Sequence, residues 1–162
     1  MIEPFSIDYE LRGSGWALGT VSHASQRVPF VASYLNDPLS ELAFSAHHLF
    51  QGGDTAAVVF MNEPGEHHLV FTRISDLECR FTLTWFNENV SYGCNFLPGS
   101  VLLMAGTLLI RSLVDQVHAL LTRLLDLHGT DGYKKPLAQS WFPHSRVFFA
   151  AQEPNCSIAI AA

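Results

Sequence analysis

The side chains best suited to chemistry are concentrated in one short segment, Glu63-Pro-Gly-Glu66-His67-His68. Carboxylates and imidazoles serve both as metal ligands and as general acid–base groups. Successive residues on a strand point to opposite faces, however, so only one of His67 and His68 can join a given cluster. The segment also lacks the His-Glu-x-x-His spacing that places two imidazoles one helical turn apart. It is therefore predicted to be an exposed hairpin turn, with no catalytic residue and no metal ligand.

Motifs for other common chemistries are missing from the sequence. It contains no Gly-x-Ser-x-Gly elbow, no Gly-x-Gly-x-x-Gly turn and no phosphate-binding loop with its lysine. The three cysteines, Cys79, Cys94 and Cys156, are odd in number and form no Cys-x-x-Cys pair, which favours reduced thiols. The sequence thus predicts no cofactor. It leaves enzymatic activity open, because many small enzymes carry no short motif.

Charge is distributed unevenly along the chain, whose net charge is −6 with neutral histidines. Residues 1–90 hold eleven acidic residues against four arginines, or −7, whereas residues 91–162 hold five basic residues against four acidic ones, or +1. An acidic N-terminal part disfavours nucleic acid and anionic membranes and favours a basic protein partner. Ordinary solubility is the alternative explanation.

The chain is predicted to be a cytoplasmic protein with a single domain over residues 1–162. Its first residues, Met-Ile-Glu-Pro-Phe, show no basic region followed by an apolar stretch, so no signal peptide is expected. The longest apolar run, residues 101–110, is about half the length that a membrane-spanning helix needs. Unpaired cysteines agree with a reducing compartment.

The elements that position these residues are predicted from their periodicity. Period-two patterns or apolar runs predict strands at residues 5–12, 16–23, 28–34, 55–62, 67–74 and 77–86, with 55–62 as a central strand. Asp37-Pro38 begins a helix that ends at Gly52. Residues 101–105 fit either a strand or a helix start; we favour a strand, because Gly106-Thr107 then supplies a break and an N-cap. A long helix over residues 108–128 follows and ends at Gly129, and the aromatic residues of 133–149 are expected to dock on the core.

These elements predict an α+β fold in which an antiparallel sheet of six to seven strands carries one short and one long helix, packed mainly on one face. The alternation of the 5–12 and 77–86 strands leaves part of the other face open to water. If both strands belong to one sheet, that face carries the candidate binding residues Asp8, Glu10, Arg12, Glu78 and Arg80. Mixed charges on a rigid face suit a protein-binding surface. The alternatives are a solvated face with no partner, or a homodimer formed through an open sheet face or edge.

Two parts of the sequence resemble known proteins. The acidic-Pro-Gly hairpin Glu63-Pro-Gly-Glu66 follows a Val/Phe strand, and the long helix ends at Gly129, before Gly132-Tyr133 and Trp141-Phe142-Pro143. This combination resembles small bacterial α+β domains, some of which are immunity-like proteins of polymorphic toxin systems. The resemblance implies a non-enzymatic protein that binds another protein in the bacterial cytoplasm, and it assigns no functional residue. The alternative is a small enzyme or ligand-binding protein with a pocket between the sheet and the long helix.

Overall fold

The computed structural model describes residues 3–92 and 99–132. This part of the chain contains seven strands, a short helix and a long helix, which run in the order β1 (Phe5–Gly13), β2 (Trp16–His23), β3 (Gln26–Ala32), α1 (Pro38–Phe50), β4 (Thr55–Met61), β5 (Glu66–Arg73), β6 (Glu78–Phe86), β7 (Ser100–Leu109) and α2 (Ile110–Gly132). A 3-10 turn at Val90–Tyr92 follows β6. The predicted α+β class, the antiparallel pairing and the one short and one long helix are confirmed. Cys94, Cys156 and the aromatic residues of 133–149 lie outside the described residues.

The strands are divided between two sheets. β1, β2 and β3 form the first sheet in that order, and β4, β5, β6 and β7 form the second, all antiparallel. The two sheets share one hydrophobic core. The ring of Phe5 meets Phe81 edge-on with centroids 5.0 Å apart, and Phe30 stacks on Phe60 at 3.9 Å. The core therefore lies between two sheets, which α1 separates along the chain.

The two helices complete the core. Asp37 caps α1 as predicted, because its carboxylate accepts a hydrogen bond from the backbone N–H of Ser40 at 3.0 Å. α2 packs against α1 and β1 through an apolar stripe, whose buried members are Ile110, Leu113, Val117, Leu120, Leu121 and Leu124. Gly129 has a φ of +61° and interrupts the regular helix, as its position in the sequence predicted.

The course of β7 corrects one predicted boundary. Residues 101–105 form a strand, as favoured, but Gly106 and Thr107 continue that strand and neither break it nor cap a helix. A side chain at Gly106 would meet the His23 ring, because an ideal Cβ there would lie 2.3 Å from His23 Nε2. The His23 ring itself packs edge-on against Phe81, with centroids 5.1 Å apart. Gly106 is therefore present for close packing inside the sheet.

β4 is an edge strand, and the prediction of a central strand was wrong. Its apolar character reflects cover from α1 and the segment before it. The carboxylate of Glu41 accepts the backbone N–H of Val59 at 2.7 Å, and Asn36 donates to the Val59 carbonyl at 2.6 Å. The hydroxyl of Ser45 donates to the Ala57 carbonyl at 3.4 Å. These side chains satisfy backbone groups that a neighbouring strand would otherwise bind.

Candidate functional site

The structure separates the five predicted binding residues into two groups. Asp8, Glu10 and Arg12 lie on the outward side of β1 in the first sheet. Glu78 and Arg80 lie on β6 in the second sheet. The prediction of one shared face required both strands to belong to one sheet, and they do not. The five residues therefore do not form a single continuous sheet face.

The two carboxylates on β1 each have an arginine beside them. Glu10 Oε2 lies 3.0 Å from Arg12 Nη2, and Asp8 Oδ1 lies 3.5 Å from Arg123 Nη2. Arg123 comes from α2 and also donates to the Tyr9 carbonyl at 3.4 Å. All four charged side chains are about half exposed, at 48–62%. Exposed ion pairs of this kind contribute only about 0–1 kcal/mol, so a partner can replace either arginine at small cost.

A cleft of about 1010 Å³ opens beside these residues. Its walls come from β1, β2 and β3, from the C-terminal turns of α2, and from side chains of β5, β6 and β7. The lining is mainly apolar and includes Leu18 and Leu127, which are 40% and 69% exposed. Asp8, Glu10 and Arg123 add charge to it. The cleft thus combines exposed apolar surface with ionised groups.

The deeper part of the cleft is lined by buried rings. Tyr9, Phe30 and His67 are at most 8% exposed. Burial raises the pKa of the Tyr9 hydroxyl, and the nearby Asp37 carboxylate adds to this effect. Burial, with a smaller contribution from His68, lowers the pKa of His67 to about 4. Within the described residues, neither the Tyr9 hydroxyl nor His67 Nδ1 has a hydrogen-bond partner.

Close packing at Gly19 holds the Phe30 ring in this lining. An ideal Cβ at Gly19 would lie 2.1 Å from Phe30 Cζ, so the ring occupies the space that a side chain would take. Gly19 and Phe30 are paired residues on β2 and β3. A glycine in a strand interior is a sequence signal for the close approach of another group to the backbone. This role of Gly19 was not predicted from the sequence.

Within the Glu63–His68 segment, Glu63 and Pro64 are exposed as predicted, but the prediction of an exposed turn is wrong for Glu66. Glu66 forms a polar cluster with His68 and Ser91. Glu66 begins β5 and is fully buried. Its Oε1 lies 2.6 Å from His68 Nε2 and accepts hydrogen bonds from the backbone N–H and the hydroxyl of Ser91, at 3.0 and 2.8 Å. His67 points to the opposite side, against Phe30 and Trp85, as strand alternation predicted.

This cluster ties the 3-10 turn after β6 to the start of β5. Glu66, His68 and Ser91 are not among the residues that line the cleft. In residues 3–92 and 99–132, no group of three or more His, Cys, Asp or Glu side chains is arranged to hold a metal ion. No helix in these ranges is long and apolar enough to cross a membrane.

Sequence reasoning missed the contributions of other elements to the cleft. Arg123 and Leu127 come from the long helix, and Trp85 comes from β6. The sequence patterns predict the helix and the strand that carry these residues. They do not predict that the side chains meet at the cleft, because that depends on contacts between distant parts of the chain.

Comparisons with known proteins bear on the fold. No family model matches the sequence, and no curated protein matches it significantly. The fold is similar to a chain in a solved structure described as the CdiA-CT/CdiI toxin and immunity complex from Enterobacter cloacae. The identity is 11% and the TM-score is 0.50, over 74% of this chain and 99% of that chain. The weak resemblance to small α+β domains, some of them immunity-like proteins of polymorphic toxin systems, is thereby confirmed at the level of the fold.

Proposed function

We propose that this chain is a non-enzymatic, immunity-like protein of the bacterial cytoplasm, and that it binds a basic protein partner through the cleft beside β1. One observation carries the proposal. Asp8 and Glu10, which were selected from the sequence as binding residues, line a large and mainly apolar cleft. The fold likeness to a chain from a toxin and immunity complex supports a protein as the partner.

The composition of the cleft suits a protein interface. Such interfaces combine an apolar centre with a polar rim. Leu18 and Leu127 offer exposed apolar surface, and burial of that surface is worth roughly 25 cal/mol per Å². Asp8 and Glu10 pair with Arg123 and Arg12, respectively, only through exposed ion pairs. A lysine or arginine of the partner can therefore bind these carboxylates once the apolar centre excludes water.

Electrostatics favour a basic partner. The chain carries a net charge of −6, which speeds association with a positively charged protein. Not every acidic residue contributes to the outer surface, because Glu41 binds the edge of β4 and Glu66 is fully buried. The exposed carboxylates of Asp8 and Glu10 are therefore better placed to meet a partner.

A ligand-binding protein is the second candidate function, and the cleft itself favours it. Small-molecule pockets commonly measure about 300–1,000 Å³ and are mostly apolar with a few polar groups. Here the Tyr9 hydroxyl and His67 Nδ1 supply buried polar atoms without partners among the described residues. No cysteine lines the cleft among the described residues, and its carboxylates and histidines are not arranged to hold a metal ion.

The test uses two charge reversals with the same effect on net charge. Asp8→Lys/Glu10→Lys changes the cleft, whereas Asp76→Lys/Glu78→Lys changes the turn before β6 and the start of that strand. Each replaces two acids by two lysines, which moves the net charge from −6 to −2. Wild type and both variants serve as baits for affinity capture from the native host. We expect wild type and Asp76→Lys/Glu78→Lys to retain a basic protein that Asp8→Lys/Glu10→Lys loses.

Binding of the purified partner then gives the quantitative result. For Asp8→Lys/Glu10→Lys we expect slower association and a weaker dependence of its rate on salt, because local attraction has been removed. If both variants lost the same amount of affinity for the partner, net charge alone would explain the effect. If neither variant lost affinity, the cleft would be excluded as the binding site. A small molecule that remains bound in native mass spectrometry, with no captured protein, would favour the second candidate.

A further inference from the structure

The cleft beside β1 lies where the long helix ends. Leu124, Leu127 and His128, from the last regular turns of α2, form part of its wall. Leu127 is 69% exposed, and Leu18 on β2 is 40% exposed. Covering apolar surface of this kind is favourable. Residues 133–162, here called the C-terminal segment, continue the chain from the end of α2 and therefore begin within a few residues of the cleft.

The composition of the C-terminal segment suits an apolar cleft. Sixteen of its thirty residues are apolar. Its aromatic residues are Tyr133, Trp141, Phe142, Phe148 and Phe149. Segments that stay in solvent contain few aromatic residues, so this composition favours burial of the segment against another surface.

Charge matches the C-terminal segment to the cleft. The segment has a net charge of +2, from three basic residues and one acidic residue, whereas residues 1–132 carry fourteen acidic residues against six arginines, or −8. Two of the basic residues, Lys134 and Lys135, come directly after the end of α2. Asp8 and Glu10 line the cleft and are held only in exposed ion pairs. The lysines can therefore approach these carboxylates at small cost.

The length of the connection allows the segment to return to the cleft. Trp141 is nine residues beyond Gly132. Nine residues span up to roughly 30 Å when extended, which exceeds the dimensions of a cleft of about 1010 Å³. A short connection also gives the segment an effective concentration in the millimolar range at the cleft. The connection favours this segment over a second copy of the chain, whose net charge of −6 is repelled.

We propose that Trp141 and Phe142 fold back into the cleft beside β1 in the free chain, with the two lysines near its carboxylates, and that a protein partner displaces them. The rings cover Leu18 and Leu127, and the lysines take the place of the partner's basic residues. The docking of the segment depends on this chain alone, whereas the displacement rests on the proposed function. A tethered segment leaves the cleft and returns to it, whereas a saturating partner covers the cleft continuously.

A single thiol on the cleft wall measures whether the cleft is covered. Leu127→Cys is introduced into the full chain, in which Cys94 and Cys156 are changed to serine. The remaining cysteine, Cys79, is fully buried. The rate at which a thiol reagent labels Leu127→Cys then reports how often the segment leaves the cleft.

Removal of the two rings should uncover this thiol. We expect Leu127→Cys to be labelled at least about tenfold more slowly in the chain with both rings than in the chain that also carries Trp141→Ser/Phe142→Ser. Phe44→Cys is the matched control, because Phe44 is 57% exposed on α1 and does not line the cleft. Its thiol should react at the same rate with and without the two rings.

A charge variant tests the electrostatic part of the contact. Lys134→Glu/Lys135→Glu should also speed the labelling of Leu127→Cys, because like charges then meet at the rim of the cleft. This variant keeps the test decisive if Trp141→Ser/Phe142→Ser fails to fold, as judged by circular dichroism. The labelling rate should be independent of protein concentration, since the segment acts within its own chain.

Several results would overturn the docking of the segment. Labelling of Leu127→Cys as fast as that of Phe44→Cys would do so, as would slow labelling that both segment variants leave unchanged. Protection that rises with protein concentration would assign the cleft to a second copy of the chain.

The displacement is tested separately with the captured partner. The partner should associate faster with Trp141→Ser/Phe142→Ser than with wild type, because the cleft is then uncovered. An unchanged association rate, together with slow labelling of Leu127→Cys in the free chain, would overturn the displacement and leave the docking intact. Loss of the proposed function is thus distinguishable from loss of this inference.

Discussion

Replacement of Gly19 by alanine tests how the cleft lining is packed. The new Cβ would lie 2.1 Å from Phe30 Cζ and 2.6 Å from the Asp8 carbonyl oxygen. The Phe30 ring is 3% exposed and stacks on Phe60, so it can move only by giving up that contact. Overpacking lowers the free energy of unfolding by about 1–3 kcal/mol. Replacing glycine also reduces the conformational entropy of the unfolded chain, which raises the free energy of unfolding by about 0.4–1 kcal/mol. Because both a ring and a backbone atom are too close, we expect a net loss of about 2 kcal/mol.

Urea unfolding followed by circular dichroism measures this loss, and thermal unfolding should show a Tm lower by about 4–8 °C for a chain of this length. Gly99→Ala is the control, since its nearest contact, Asn87 Nδ2, would be 3.3 Å away and its stability should change by less than about 0.5 kcal/mol. A double-mutant cycle with Phe30→Ala isolates the ring contact. The cost of Gly19→Ala should shrink once the ring is gone. A neutral Gly19→Ala, or strict additivity with Phe30→Ala, would refute the packing argument.

Three further predictions concern the core. Leu120→Ala should lower the free energy of unfolding by about 2–5 kcal/mol, because Leu120 is 3% exposed. A decrease below about 0.5 kcal/mol in chemical unfolding would place Leu120 on the surface. Cys79 is fully buried, and burial raises its pKa to about 11. In a variant with Cys94 and Cys156 changed to serine, thiol titration should therefore find no reactive thiol before unfolding. Rapid labelling of the folded variant would contradict this. His67 has a pKa of about 4 in the folded chain, against an ordinary 6.5, so the unfolded chain binds the proton first and stability falls as pH drops from 6.5 to 4. His67→Phe should lessen that fall, and an identical pH profile for both proteins would be contrary to this assignment.

Local patterns in the sequence were sufficient to predict most elements. The alternation from Phe5 onward predicted β1, and Asp37-Pro38 predicted the start of α1. Gly129 predicted the end of the regular part of α2. These signals are carried by neighbouring residues, through strand alternation, capping and backbone conformation.

The arrangement of those elements was less predictable, because it depends on distant contacts. Periodicity shows that a strand is half-buried but not which strand lies beside it. The division into two sheets therefore could not be predicted, and with it the separation of Asp8 from Glu78. The role of Gly106 likewise depends on the His23 ring, more than eighty residues earlier in the sequence.

The candidate site was predicted in part. Asp8, Glu10 and Arg12 follow from the alternation of β1, which puts them on its outward side. The cleft that they line also needs Arg123 and Leu127 from α2. Ser91 was missed because only the fold brings it to Glu66, 25 residues away in the sequence.

The central claim is that a protein partner binds in the cleft beside β1. Hydrogen–deuterium exchange of this chain, alone and saturated with its captured partner, tests that claim most directly. We predict slower exchange in β1, β2 and the last turns of α2, with the turn between β5 and β6 unchanged as an internal control. Slower exchange confined to β5 and β6, with β1 and the end of α2 unaffected, would contradict it.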